Sequence, residues 1–341
     1  MILQQKLSFV PDKPWYQHAW DSSSLSTYLR CPRRYFYQYV CGFRPFTESI
    51  DLKFGTLVHL AMEEYHLTRQ EQGHDEGQRR GLMAILKASW SGFIGHEGPG
   101  SDGNGHYWRS PSNNKNLWNA LRSFIWHTEQ FGFEPDFNTT IFDRRLYAVE
   151  LPFQFSLGKL GSAVQEATYC GHLDRVVDTG AGRWVVDYKT TKKTLNAEYF
   201  EGFKLSTQLP GYGVAAKVVF HEPVQGIIVD GFQVGVDFTR CGRSHILLGE
   251  EKANEWLDTA SHWIAGAMAT AAIADIKPAE DIYSFAQKNG HNWKMNTESC
   301  FICPFKEVCG STPSVRGHIL EAGFQIQHWD PLDRQQQEKP A

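Results

Sequence analysis

The chain lacks any apolar run long enough to cross a bilayer, which takes roughly 20 residues. Its most apolar late stretch, Trp263 to Ile276, is Ala-rich and too short. Met1 to Asp21 has no basic start followed by an apolar run, so no secretory leader is legible there. These absences set the expectation of a cytoplasmic protein with no membrane partner. A surplus of positive charge is also missing: 34 Lys and Arg stand against 38 Asp and Glu, for a net charge of -4. The total therefore does not advertise a nucleic-acid binder, but a phosphate backbone needs only a local basic surface. Arg30, Arg33 and Arg34, then Arg144 and Arg145, then Lys189, Lys192 and Lys193 are candidate patches. Each alone is more often a solvated face. Cysteine is scarce and odd in number, seven in 341 residues, which argues against a disulfide scaffold and fits a reducing compartment. No G-x-x-x-x-G-K-[ST] occurs, so the chain carries no P-loop motor. No internal repeat is present.

What is there suffices for a large core, at 41% hydrophobic residues, as one big domain or two small ones. Asp21-Ser22-Ser23-Ser24 precedes a helical pattern with Leu25, Tyr28 and Leu29, a helix capped in that polar run. A second helix is expected over Thr56 to Tyr65, and Leu117, Leu121, Phe124 and Thr128 resume the period after a Gly-, Ser- and Asn-rich loop from Ser91 to Asn116. The character changes at Arg145. Strands are expected over Leu146 to Leu157, Tyr169 to Val177 and Arg183 to Tyr188, the last two joined by a hairpin loop at Asp178 to Gly182. A helix around Thr207 to Phe220, strands over Gly226 to Val234 and Ser244 to Leu248, and an amphipathic helix from Glu250 to Ile273 follow. This order predicts an α/β core decorated by helices.

Two constellations carry chemistry. Cys300, Cys303 and Cys309 form C-x2-C-x5-C, and Cys31 in Leu29-Arg30-Cys31-Pro32-Arg33-Arg34-Tyr35 is the natural fourth partner. Four thiolates hold either a zinc ion or an iron-sulfur cluster, and this set would tie the two ends of the chain together. Cys41, Cys170 and Cys241 are left over as small buried hydrophobes. The second constellation is Gly171-His172-Leu173-Asp174-Arg175 followed by Val185-Val186-Asp187-Tyr188-Lys189-Thr190. On adjacent antiparallel strands Asp174 and Asp187 can meet on one face, making a site for hard cations such as Mg2+ or Mn2+. Lys189 shares that face with Asp187, two residues away. A surface Asp-Lys pair is the bland alternative, but the apolar run Trp184-Val185-Val186 marks a buried strand, where charges are rare.

At these residues the chain resembles the PD-(D/E)XK nucleases, in particular the RecB-like branch closed by a 4Fe-4S cluster, which includes the AddB nuclease domain and CRISPR-associated RecB-like exonucleases. The resemblance spans Ser24 to Cys309, leaving Arg69 to Asn138 unaccounted for. It implies a restriction-endonuclease-like mixed-sheet core flanked by helices, as one domain over 1–325 with a helical insertion at 69–138 and a polar tail at 326–341. Phe54-Gly55-Thr56-Leu57-Val58-His59 matches the family's glycine-to-histidine motif, which makes His59 a metal ligand; a lone histidine there would otherwise be a core residue. Asp174 matches the first metal aspartate, Asp187-Tyr188-Lys189 the (D/E)-x-K element, and the Tyr188 carbonyl a further ligand. Gln208-Leu209-Pro210-Gly211-Tyr212 matches the Q-x-x-x-Y motif that orients the lysine and contacts DNA, with Tyr212 as the ring on which a base would stack. Glu150 fits either an upstream acidic ligand or a solvent-facing strand residue. The resemblance also selects 4Fe-4S over zinc for Cys31, Cys300, Cys303 and Cys309, in a structural role.

The expectation is thus a metal-dependent DNA exonuclease on single strands or duplex ends, using Mg2+ or Mn2+. Any helicase, recombination or CRISPR component would be a partner chain, and some relatives form rings. The rivals are a noncatalytic DNA-end-binding scaffold that keeps the four-cysteine site, and a zinc-stapled interaction module with an accidental D-x-K.

Overall fold

A computed structural model describes residues 6–46, 50–93, 114–134, 137–143, 146–161, 165–290 and 298–332. Most of the expected Gly-rich loop, Arg144 and Arg145, and the tail from Asp333 lie outside the described residues. The backbone forms two compact units with interleaved segments: Met1–Phe46, Gln154–Gly171 and Glu255–Ala341 make the first, Thr47–Phe153 and His172–Asn254 the second.

The second unit opens with α1 (Ile50–Gln72), α2 (His74–Phe93) and α3 (Leu117–Phe131). α1 is longer at both ends than the expected Thr56 to Tyr65: Phe54 extends its buried face before Thr56, and its last turns are polar and carry no apolar period. Between α1 and α2, Gly73 takes a φ of +87°, a left-handed conformation that ends a helix at no steric cost in glycine. The three helices then pack closely: a β-carbon added at Gly81 would lie 2.2 Å from Phe124 and 2.8 Å from the Ala61 carbonyl oxygen.

Five longer strands follow: β1 (Val149–Gly158), β2 (Ala167–Thr179), β3 (Gly182–Thr191), β4 (Gly226–Val234) and β5 (Thr239–Leu247). The expected strand from Leu146 breaks at Ala148, whose N–H donates to the Thr140 carbonyl while its own carbonyl accepts from Val176. β3 pairs antiparallel with β2 and parallel with β4, and β4 pairs antiparallel with β5. A parallel pair needs a crossover, which here contains α4 (Ala197–Glu201) and α5 (Leu209–Phe220). α5 begins with Pro210 in its first turn, where the missing N–H has no intrahelical partner to lose.

Alternation along β3 decides what each face does. Trp184, Val186 and Tyr188 join Val177 of β2 and Ile228, Phe232 and Val234 of β4 in a core against Phe54, Leu57, Val58, Ala61 and Phe124. The intervening residues Val185, Asp187 and Lys189 belong to the opposite face. That core is not wholly apolar. Asp230 of β4 is fully buried, and its Oδ2 accepts from His127 Nε2 at 2.9 Å and from Arg243 Nε at 2.7 Å.

In the first unit the two ends of the chain meet. Phe43–Pro45 pairs antiparallel with Phe324–Ile326. Tyr35 stacks between Trp20 and Tyr39, and Tyr37 packs on Phe305, which stacks on Phe324 with centroids 4.7 Å apart. Asp21 caps Ser22–Arg30 by accepting from the Ser24 N–H, and Ser24 Oγ accepts from the Asp21 N–H in return. At its start, Ala19–Trp20 pairs with the opening residues of β2, Thr168 and Tyr169.

The Asp230 network yields a stability prediction. Burial alone would raise the Asp230 pKa, but His127 and Arg243 outweigh it and hold the carboxyl below its usual range. A folded-state pKa below the unfolded value stabilises fully above the ordinary aspartate value near 4, and the gain is lost as pH falls through the lower folded value. Asp230→Ala should cost about 3–5 kcal/mol at pH 7 by leaving Arg243 buried without this anion. Urea unfolding at pH 7 and at pH 3 measures it; the gap between wild type and variant should shrink at the lower pH.

Candidate active site

The β2–β3 ladder runs from Thr179↔Gly182 to Arg175↔Val186 and stops there. Asp174 and Asp187 are next in line on the two strands. No backbone rung joins them; the Tyr188 N–H donates instead to Asp174 Oδ2 at 2.9 Å. Cross-strand partners share a face, so both aspartates lie on the face away from the helical core, and both are buried. α1 brings His59 to the same place. Its Nδ1 is 3.5 Å from Asp174 Oδ2 and 3.6 Å from Glu150 Oε1, and its Nε2 is 3.1 Å from the Tyr188 carbonyl oxygen. Among the described residues, His59, Glu150 and Asp174 are the group whose ligand atoms all lie within 4.8 Å of one another.

Glu150 is thereby drawn into the site, which its sequence context left open. The signal that places it is conformational: its φ is +44°, a left-handed value for a residue with a β-carbon. Such a backbone costs on the order of 1–3 kcal/mol and persists where the surroundings enforce it, typically at functional sites. Nothing in Val149-Glu150-Leu151-Pro152 announces that conformation.

Three carboxylates in a buried space leave their mark on the titration of their neighbours. Burial works against charge on His59, yet Asp174 and Glu150 outweigh it and push the imidazole up to about 9. Burial, reinforced by Asp187 and Glu150 and opposed by His59, pushes Asp174 up to about 7. Lys189 is raised as well, because Asp187 and Asp174 outweigh its desolvation, so it stands as an ammonium at neutral pH. The cause of the His59 shift is the cause of cation affinity: negative charge gathered where water is excluded.

The residues fit a hard divalent cation. Asp187 Oδ1 accepts from Lys189 Nζ at 2.7 Å, whereas the buried Oδ2 has no hydrogen-bond partner. An orphaned carboxylate oxygen costs roughly 1–3 kcal/mol or more, and a cation beside Asp174 and the Tyr188 carbonyl would satisfy it.

Lys189 is held by a second tether. Its Nζ donates to Gln208 Oε1 at 3.2 Å, and Gln208 Nε2 donates to the Tyr212 hydroxyl at 2.7 Å. Gln208 and Tyr212 are one turn apart at the start of α5, so the helix fixes both. This corrects one expectation: Tyr212 is buried, packed at 6.3 Å and edge-on against Phe153. Its hydroxyl positions Gln208, and the buried ring has no face on which a base could stack.

On the other face, the Tyr188 hydroxyl bonds His66 Nε2 at 3.0 Å, and the buried Arg175 donates to Thr139 Oγ1 at 2.9 Å and to the Phe137 carbonyl at 3.1 Å. These contacts anchor the strand segment that carries the Tyr188 carbonyl. Their sequence signal is only polarity inside an apolar run.

The four expected cysteines line one pocket of the first unit, together with Arg30, Arg34, Ser299, Phe305 and Lys306. Cys31 caps the short helix Pro32–Tyr35. The Cys303 N–H donates to the Cys300 carbonyl at 3.1 Å and the Cys309 N–H to the Phe305 carbonyl at 2.9 Å, so successive tight turns present the three C-terminal thiols. Among the described residues, no three of these sulfurs lie within 4.8 Å of one another. Cys41 and Cys170 are buried and Cys241 half-buried, and none of the three lines this pocket.

A family model of the PD-(D/E)XK nuclease superfamily matches residues 20–310. No curated protein matches the chain. Among solved structures, the crystal structure of SSO0001 aligns over 73% of this chain and 84% of that one, at 11% identity and a TM-score of 0.29, a likeness that carries no argument. The family model takes in every residue assembled above, from His59 to the last cysteine, and the chain belongs to the PD-(D/E)XK nuclease superfamily, whose members are metal-dependent phosphodiester hydrolases.

Proposed function

We propose that the protein is a DNA exonuclease acting on single strands or duplex ends, with Mg2+ or Mn2+ at His59, Glu150, Asp174, Asp187 and the Tyr188 carbonyl, and with a structural 4Fe-4S cluster on Cys31, Cys300, Cys303 and Cys309. The observation that carries the nuclease reading is the meeting of Asp174, Asp187 and Lys189 beyond the last rung of the β2–β3 ladder. A bound cation would supply Lewis acidity and lower the pKa of water. The protein's part is positioning. Asp187 holds the Lys189 ammonium, Gln208 receives a second of its protons, and Tyr212 holds Gln208. The ammonium thus stands fixed beside the carboxylates, where it orients the attacking water and offsets charge growing on the phosphate.

For the cysteine site, four thiolates serve zinc and iron-sulfur alike, and the resemblance to the RecB-like branch favours the larger inorganic core. Arg30, Arg34 and Lys306 in the lining suit its negative charge. The hydrolysis itself needs no electron transfer, which makes the cluster's role structural. It would lock together ends that strand pairing and aromatic stacking already join.

End-labelled single- and double-stranded DNA, incubated with Mg2+, Mn2+ or EDTA, tests the activity. Shortening from one end with either metal and none in EDTA is expected, and a protein inert with every metal and DNA form rejects the proposal. Lys189→Ala should keep Mn2+ affinity by calorimetry while kcat drops about 100-fold or more. Asp187→Ala should lose metal binding and cleavage together. Wild-type rates in Lys189→Ala would remove the lysine from the mechanism.

The cluster has its own test. Cys303→Ser should lose iron and gain protease sensitivity, because ligand binding and folding are linked there, whereas Cys241→Ser should retain full iron. Zinc in place of iron in the wild-type protein would overturn the cluster assignment.

A further inference from the structure

The segment between β3 and α5 is pinned at both ends to the site's lysine. It leaves β3 just after Lys189 and returns at Gln208, whose side chain accepts from that same ammonium. Its two ends therefore sit beside the proposed cation site. Leu195 and Phe200 fasten it to the sheet at Gly231 of β4 and Gly242 of β5, which are cross-strand partners. A β-carbon at Gly231 would lie 2.9 Å from Leu195, and one at Gly242 would lie 3.5 Å from Leu195 and 3.9 Å from Phe200. Larger residues at these two positions would push the segment off.

With Phe200 turned to the sheet, Tyr199 and Phe203, four residues apart, share another side of α4 and the tight turn Gly202–Leu205 that continues it. Their ring centroids are 5.2 Å apart, edge to face. The Tyr199 hydroxyl lies close enough to Lys189 and Asp187 for their charges to act on it. Leu205, at the end of the turn, is 88% exposed. Lys192, Lys193 and Lys204 of the same segment are exposed, Lys192 beside Asp51 and Lys204 paired with Glu201 at 2.6 Å, a surface pair that a phosphate would have to displace.

We propose that Tyr199, Phe203 and Leu205 form a platform on which unpaired nucleobases stack beside the scissile phosphate, while Lys193 and Lys204 hold the flanking phosphates. This deepens the nuclease reading and rests on it: it names the substrate class as a nucleic-acid strand with unpaired bases at the site. Aromatic faces beside exposed lysines suit a strand with bases on one side and phosphates on the other. The buried Tyr212 leaves that role open.

Binding of a fluorescent single strand, measured with Ca2+ in place of Mg2+, tests the platform. Stacking of a base contributes about 5- to 150-fold in affinity, so Phe203→Ala should raise Kd within that range. A strand with abasic positions across the site should bind wild type and variant alike. Lys204→Gln should weaken both strands equally and flatten the salt dependence. Should Phe203→Ala melt early, Phe203→Leu keeps the apolar packing and removes the aromatic face. An unchanged Kd in a folded Phe203 variant, or equal wild-type affinity for abasic and ordinary strands, overturns the platform and leaves the nuclease reading standing. A wild-type protein that neither binds nor cleaves DNA overturns both.

Discussion

The site depends on a ladder that ends one rung early. Had the β2–β3 pairing continued past Arg175↔Val186, the Tyr188 N–H would be committed to the backbone of β2. The Asp174 carboxylate takes that N–H instead. The exchange keeps a buried donor satisfied, fixes the carboxylate's rotamer and turns the Tyr188 carbonyl toward His59. A single substitution of side chain for backbone thus organises three of the proposed ligands, Asp174, the Tyr188 carbonyl and His59, and the rest of the second unit reinforces it. Tyr188 is anchored behind the sheet by His66, and Lys189 is tethered in front by Gln208.

Much of this was legible from residues alone. The period-two alternation in Trp184-Val185-Val186-Asp187-Tyr188-Lys189 fixes which side chains face the core and which face the site, and antiparallel pairing with Asp174 follows from the short turn between the strands. The spacing of Gln208 and Tyr212 fixes that they lie one helical turn apart. The part that Tyr212 plays was not legible, because the Tyr212 ring of α5 packs against Phe153, a residue of β1 far away in sequence. Glu150 was undecided for a related reason: its position rests on a backbone conformation with no sequence signature. Tyr199 drew no attention because α4 is five residues long, too short to show a period, and the two glycines that seat its segment belong to distant strands.

The first unit shows the converse. The cysteines were the plainest signal in the chain, and they do share a pocket, but the packing around them was hidden in scattered aromatics. Tyr35, Tyr37, Phe305 and Phe324 look like ordinary core residues until strand pairing of Phe43–Pro45 with Phe324–Ile326 brings the ends together. Chain closure here rests on strand pairing and apolar burial.

The left-handed backbone at Glu150 has an evolutionary consequence. Glycine would relax position 150 and asparagine would tolerate it, yet either would delete a carboxylate from the proposed cation site; apart from aspartate, the other residues would keep the strain and lose the charge. Drift at this position can therefore trade rigidity against chemistry but cannot improve both. A descendant of this chain that had abandoned cleavage would be freed first here, and a glycine or asparagine at 150 would be an early trace of the loss.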